Sequence, residues 1–292
     1  MRLASTADAR LVVVTGDRLV DVTDALGLGS ATHPVPAGGP LLALLELLEH
    51  ADVDALRGLD LAGLPSRPLA GAALAAPIAR PGKVVGAPVN YRDHQVEMHE
   101  QKTIADYGVF LKASTSVVGP GAQVRLPYLD VRTDQEGELG VVIGRTATKV
   151  TADRALEHVF GYVPLLDITV RSGEDRSTRK SFDTFTPIGP WVTTADEVGD
   201  PGALRLRCWV GDELRQDVST AEMVFGVAEL VAYASHVMTL HPGDVIATGT
   251  PAGVGPIAAG ARVAVEIDRL GRLEVGVTDD GAIAYADRPG AR

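Results

Sequence analysis

"DQEGELGVVIG", residues 134–144, sets Asp134, Glu136 and Glu138 at alternate positions directly before an apolar, β-branched run. Side chains at i, i+2 and i+4 of a strand share a face, so the three acids point together while Leu139, Val141 and Ile143 take the other side. If that face is wet, water screens the repulsion and the segment is a solvated strand edge. If it is enclosed, burial and repulsion would drive the carboxyls toward protonation unless a cation neutralises them. Hard oxygen donors without cysteine favour Mg²⁺, Mn²⁺ or Ca²⁺ over zinc. On this segment alone, a metal site and a solvated edge both stand.

The chain around it narrows the choice. Asp167 lies inside the apolar run "GYVPLLDITV" (161–170), where a lone carboxylate is costly unless paired or ligated. Arg171 and Lys180 are the nearby ion-pair partners, and pairing does not exclude ligation. In "NYRDHQVEMHE" (90–100), His94 and Glu97 are three apart and share a face if the segment is helical. A carboxylate against an imidazole orients the ring and strengthens it as a base toward water. The bland alternative is an ordinary surface pair.

Size and charge set the broad class. The 292 residues suffice for a large domain or for a small and a medium one. Lys plus Arg number 27 against 38 for Asp plus Glu, a formal charge of −11. That balance argues against nucleic acid or an anionic membrane as partner and leaves room for a small anionic substrate held by a few basic residues. Cys208 has no intramolecular partner, which excludes a disulfide framework and a cysteine-based zinc site and reads as a core residue. No secretory signal or membrane-spanning window is apparent, so a cytoplasmic protein is expected.

Residues 1–75 read as a small α/β amino-terminal domain: a hairpin of "LVVV" and "RLVDV" turned at Gly16, then a helix in "PLLALLELLEHADVDALRGL" (40–59). A connector rich in Pro, Gly and Ala leads to a second unit, residues 80–292, made of many short strands separated by Gly and Pro turns. The expected class is α+β, mainly β, with a sandwich or rolled mixed sheet rather than a doubly wound fold. Two helices interrupt it, at 151–161 with Thr151 or Asp153 as cap, and at 220–238 with Thr220 as cap. "STRK" (177–180) lacks the companion motifs of penicillin-binding enzymes. "GTPAGVG" (249–255) is not a phosphate loop, though its N–H groups and Thr250 suit an anion.

In order, "NYRDHQVE", "FLKAST", "DQEGELGVVIG", "GYVPLLDIT", "RKSFDTFTPIGPW" and "PGDVIATGTPAGVG" resemble the fumarylacetoacetate hydrolase family from about residue 83 to 275. The resemblance implies a mixed β-sandwich roll, a homodimer, and one Mg²⁺ or Mn²⁺ per subunit, with Ca²⁺ as a substitute, on Glu136, Glu138 and Asp167. Asp134 falls outside the usual ligand positions. It also implies that His94 and Glu97 activate water on a segment that orders as a lid, with Tyr107 and "MHEQKTIADYG" contributing. Lys180 would offset developing charge, and Lys112, Arg171 and Thr250 would bind substrate.

The implied reaction is hydrolysis of a carbon–carbon bond in a 2,4-dioxo acid such as an acylpyruvate or fumarylpyruvate, with the cation stabilising the enolate formed. The family also holds isomerases of hydroxy-dienoates and decarboxylases of oxaloacetate type. A metal-stabilised scaffold without turnover has no need of a base beside a cation, and a zinc hydrolase lacks a His-based ligand motif here.

Overall fold

The computed structural model describes residues 1–28, 44, 48 and 53–291. The described chain is mainly strand with few and short helices, as the spacing of its turns leads one to expect. Eleven described strands form one large mixed sheet, and five more, including Arg205–Val210, Arg262–Ile267 and Gly271–Thr278, form a second.

At the centre of the large sheet, Gly137–Ile143 pairs antiparallel with Val159–Leu166 on one side and Val245–Ala247 on the other. Val84–Gly86 then runs parallel to Val245–Ala247, and Phe110–Lys112 closes that edge. At the opposite end, Arg2–Thr6 pairs with Val192–Thr194, so the amino-terminal hairpin Leu11–Thr15 and Arg18–Asp21 continues the same sheet. Its turn passes through Gly16 at φ +60°.

The apolar alternation of the opening stretch appears in the packing. Leu139, Val141 and Ile143 are buried against Leu206, Cys208, Val263 and Val265 of the second sheet. Val142 turns the other way, to a core shared with Leu3, Leu11, Leu44 and Leu48. Each such side chain contributes about 1.5–3 kcal/mol through burial, which anchors the central strand firmly enough to carry a charged end.

Two local expectations are corrected. The second long helix begins at Val227, not after Thr220, because Gly226 is its first non-helical residue and Glu229 reaches back to the Gly226 N–H at 2.8 Å. Thr220 instead donates to the Pro201 carbonyl at 2.7 Å. The first helix is short, Ala152–Ala155, and Thr151 precedes it without a side-chain cap. Of the amino-terminal helix, Val53–Arg57 is seen and most of the remaining span, 40–52, lies outside the described residues. Among the described residues no helix is long and apolar enough to cross a membrane.

Candidate active site

Adjacent strand ends bring the acids together. Glu138 is paired in register with Leu165, so Asp167, two residues on, arrives beside Glu136, and its N–H donates to the Glu136 carbonyl at 2.8 Å. The stretch that reads as one strand breaks at Glu136: Thr133–Gln135 joins a small separate sheet with Thr169–Val170 and Gly255–Pro256. That break lets Glu136 and Glu138 converge instead of standing a full strand repeat apart. One carboxylate oxygen from each of Glu136, Glu138 and Asp167 lies within 4.8 Å of the others, and all three residues are buried. Asp134 is outside this group, held by Arg132 at 2.6 Å and Arg171 at 2.7 Å.

The three acids differ in how they are compensated. Burial alone would raise Glu136, but Lys180 and Arg171, each 2.7 Å away, hold its carboxyl down at about 2. Asp167 accepts from Lys180 at 2.5 Å and also from Lys112. Among the described residues Glu138 forms no ion pair; it accepts the Gly249 N–H at 2.8 Å. Burial, with the charges of Asp167 and Glu136, pushes its carboxyl well above the usual range. Facing hard oxygens with one acid left uncompensated fit a divalent cation such as Mg²⁺ or Mn²⁺.

On the short helix Arg92–Glu97, His94 is 6% exposed and its Nδ1 lies 2.8 Å from Glu97 Oε2. The other carboxylate oxygen of Glu97 accepts the Gly253 N–H at 3.0 Å. Nε2 of His94 has no partner among the described residues. The anions met by "GTPAGVG" are therefore the protein's own: Gly249 serves Glu138 and Gly253 serves Glu97. Both glycines sit at φ +94°, and a Cβ on Gly253 would fall 1.9 Å from the Arg215 carbonyl oxygen.

A cavity of about 150 Å³ is lined by His94, Glu136, Glu138, Asp167, Arg171, Lys180 and Thr250, so most of the residues singled out in the sequence meet there. Lys112 does not line it. Its side chain is wholly buried behind Asp167, donating also to the Phe185 carbonyl at 2.9 Å, because strand Phe110–Lys112 turns it inward at the sheet edge. The direct substrate contact expected of Lys112 is replaced by support of Asp167.

The other expected substrate and charge contacts are also partly committed. Lys180 spends its donors on Glu136, Asp167 and the Thr169 hydroxyl at 2.7 Å. The Thr250 hydroxyl donates to the Gly137 carbonyl at 3.0 Å and accepts from Gln216 at 2.8 Å. Arg171 is spread over Asp134 and Glu136. The segment 98–108 forms a folded strap whose Met98 and Glu100 line the cavity, with the Tyr107 hydroxyl bonded to Glu100.

Sequence reasoning missed several contributors. Arg176 and Arg179 line the cavity from the helix Arg176–Arg179. The signal was present as the basic run before Lys180, but a charge run is more often a solvated face. Asn90 donates to the Phe225 and Thr248 carbonyls at 2.9 and 2.8 Å, and Gln216 accepts the Gly137 N–H at 2.9 Å. These residues brace the loops; Asn90 opens the stretch "NYRDHQVE" but was given no role there, and Gln216 lies in no motif.

Comparison with known proteins shows the family. The family model described as fumarylacetoacetate (FAA) hydrolase, C-terminal, matches residues 83–278. The chain is 41% identical over 293 aligned residues to maleylpyruvate hydrolase of Aquipseudomonas alcaligenes, covering 95% of this chain and 99% of that one. Among solved structures it is similar to maleylpyruvate hydrolase from Sphingobium sp. SYK-6 in complex with manganese(II) and pyruvate, with 39% identity, TM-score 0.83, and 98% and 100% of the two chains covered. It also resembles 2-hydroxyhepta-2,4-diene-1,7-dioate isomerase from Mycobacterium marinum, at 31% identity, TM-score 0.74 and coverage of 95% and 98%. With its buried carboxylates, its His–Glu pair and a family match over two thirds of its length, the chain belongs to the fumarylacetoacetate hydrolase family.

Proposed function

We propose that the protein is a divalent-metal-dependent hydrolase that cleaves the carbon–carbon bond of an acylpyruvate, R–CO–CH₂–CO–COO⁻. Water adds to the acyl carbonyl, the bond to the methylene breaks, and R–COO⁻, pyruvate and a proton result. The observation that carries this reading is the pairing, in one cavity, of the buried Glu136–Glu138–Asp167 cluster with His94 oriented by Glu97.

Glu136, Glu138 and Asp167 would hold Mg²⁺ or Mn²⁺; when bound, the cation supplies a positive charge that polarises the 2-oxo acid. His94, whose Nδ1 is fixed by Glu97, would take the proton of water at Nε2. Glu97 is itself fixed by the Gly253 N–H, so the imidazole does not have to be reoriented for the reaction. Lys180 and Arg171 keep Glu136 ionised and ready to ligate. Once some of its contacts to the acids are released, Lys180 has an ammonium N–H to offer a developing oxyanion. The similarity to a relative solved in complex with manganese(II) and pyruvate supports a divalent cation and a small 2-oxo acid as ligands of this chain.

An isomerase reading draws on the Mycobacterium marinum relative, but tautomerisation needs no water-activating base, and the His94–Glu97 pair favours hydrolysis. The test is incubation with maleylpyruvate or fumarylpyruvate and Mn²⁺, followed by separation of products. Pyruvate and the matching four-carbon acid in equal amounts, absent with chelator, are expected. Recovery of an isomerised seven-carbon acid, or release of CO₂ from oxaloacetate with no cleavage of either dioxo acid, would overturn the proposal.

A further inference from the structure

Four cationic side chains line the cavity, and two of them are committed to its acids. Arg171 is spent on Asp134 and Glu136, and Lys180 on Glu136, Asp167 and Thr169. Arg176 and Arg179 are not: among the described residues neither has a carboxylate within ion-pair distance. Both are half-buried, and Nε of Arg179 is fully buried with no hydrogen-bond partner. They stand three apart on one short helix and so present to the same side. Arg176 lies with its Cζ 4.2 Å from the centroid of Tyr107, whose hydroxyl is held by Glu100 of the strap.

We infer that Arg176 and Arg179 form a receptor for a second carboxylate, at the far end of the substrate's acyl group. Resting on the acylpyruvate reading above, this makes the preferred substrate a dioxo acid with two carboxylates, of the maleylpyruvate or fumarylpyruvate kind, rather than a simple acylpyruvate. A buried guanidinium N–H without an acceptor is a donor waiting for one, and a planar fork matches a carboxylate in two-point contact. The ring of Tyr107 holds the Arg176 guanidinium in a cation–π contact, which limits what is lost on binding. The acids of the metal cluster do not supply this acceptor: Glu136 and Asp167 are already faced by Lys180, Arg171 and Lys112, and Glu138, which accepts the Gly249 N–H, is not within ion-pair distance of either arginine.

The test compares kcat/KM for maleylpyruvate and for acetylpyruvate, with Mn²⁺ present, in wild type, Arg176→Gln, Arg179→Gln and the double variant. Calorimetric binding of maleate, the free four-carbon dicarboxylate, and of pyruvate to the Mn²⁺-loaded proteins is measured alongside. Wild type is expected to prefer the dicarboxylate. Each substitution lowers the ratio of the two kcat/KM values by about 10- to 100-fold, the effect of one charge-assisted contact. Maleate binding is lost in the double variant. Equal preference in wild type, or a parallel fall on both substrates, overturns the inference. If neither dioxo acid is cleaved but maleate binding still depends on the two arginines, the reaction is wrong and the receptor stands. If maleate binds wild type and double variant alike, the receptor is wrong whatever the turnover.

Discussion

Glu97 bridges His94 and Gly253: one carboxylate oxygen lies 2.8 Å from the imidazole Nδ1 and the other accepts the Gly253 N–H at 3.0 Å. The carboxylate that orients the ring sits on the same short helix and is itself anchored by a loop from another part of the chain. Glu97→Gln keeps the shape but weakens the contact, and kcat is expected to fall about 10- to 100-fold with KM little changed. His94→Ala removes the base itself, with a loss of about 10²- to 10⁴-fold. Steady-state kinetics on folded, metal-loaded variants checks both.

Glu136 and Glu138 are expected to respond oppositely to neutralisation in the metal-free protein. Glu136→Gln leaves Lys180 and Arg171 facing a neutral amide, a loss of about 3–5 kcal/mol for a broken buried pair. Glu138→Gln removes a buried acid that has no cationic partner, so its thermal midpoint stays level or rises. Both variants lose the stabilisation that Mn²⁺ gives wild type. Thermal unfolding with and without Mn²⁺ separates the effects.

The same pair sets a pH dependence. Glu136, held down at about 2 against 4.5 when free, contributes stability that is present above pH 4.5 and lost as pH falls toward 2. Glu138 is raised, so its contribution in the metal-free protein is full below 4.5 and lost as pH climbs through its folded value. A cation displaces that proton. Mn²⁺ binding is thus expected to release protons and to strengthen with rising pH, read by calorimetry in buffers of different ionisation enthalpy.

Cys208 packs between the sheets, wholly buried, and burial pushes its thiol up to about 12. The native protein is expected to resist a disulfide reagent at pH 8 and to react once unfolded. Its share of stability is full below pH 9, the ordinary thiol value, and declines as pH rises toward 12.

Much of the site was legible because its chemistry is expensive. Asp134, Glu136 and Glu138 before an apolar run, and Asp167 within one, demand compensation wherever the chain is buried, and alternation located them on one side. The break at Glu136 was not legible, since it depends on Thr133–Gln135 pairing with Thr169–Val170 and Gly255–Pro256, far along the chain. Lys112 shows a related limit: its position in the motif was evident, but its rotation behind Asp167 follows from the sheet edge. Edge strands such as Glu213–Ser219, polar on their outer face, carry too little apolar signal to be seen. The start of the helix at Val227 turned on Gly226 and Glu229 forming a cap that a hydroxyl at Thr220 seemed to offer.

The most direct measurement of the central claim is a single turnover of maleylpyruvate in H₂¹⁸O with Mn²⁺, with mass analysis of both products, in wild type and His94→Ala. Hydrolysis assisted by His94 places one ¹⁸O in the four-carbon acid, and His94→Ala binds Mn²⁺ normally but forms almost no labelled acid. Labelled acid formed as fast by His94→Ala, or cleavage by wild type with no ¹⁸O in that acid once exchange is accounted for, would contradict it.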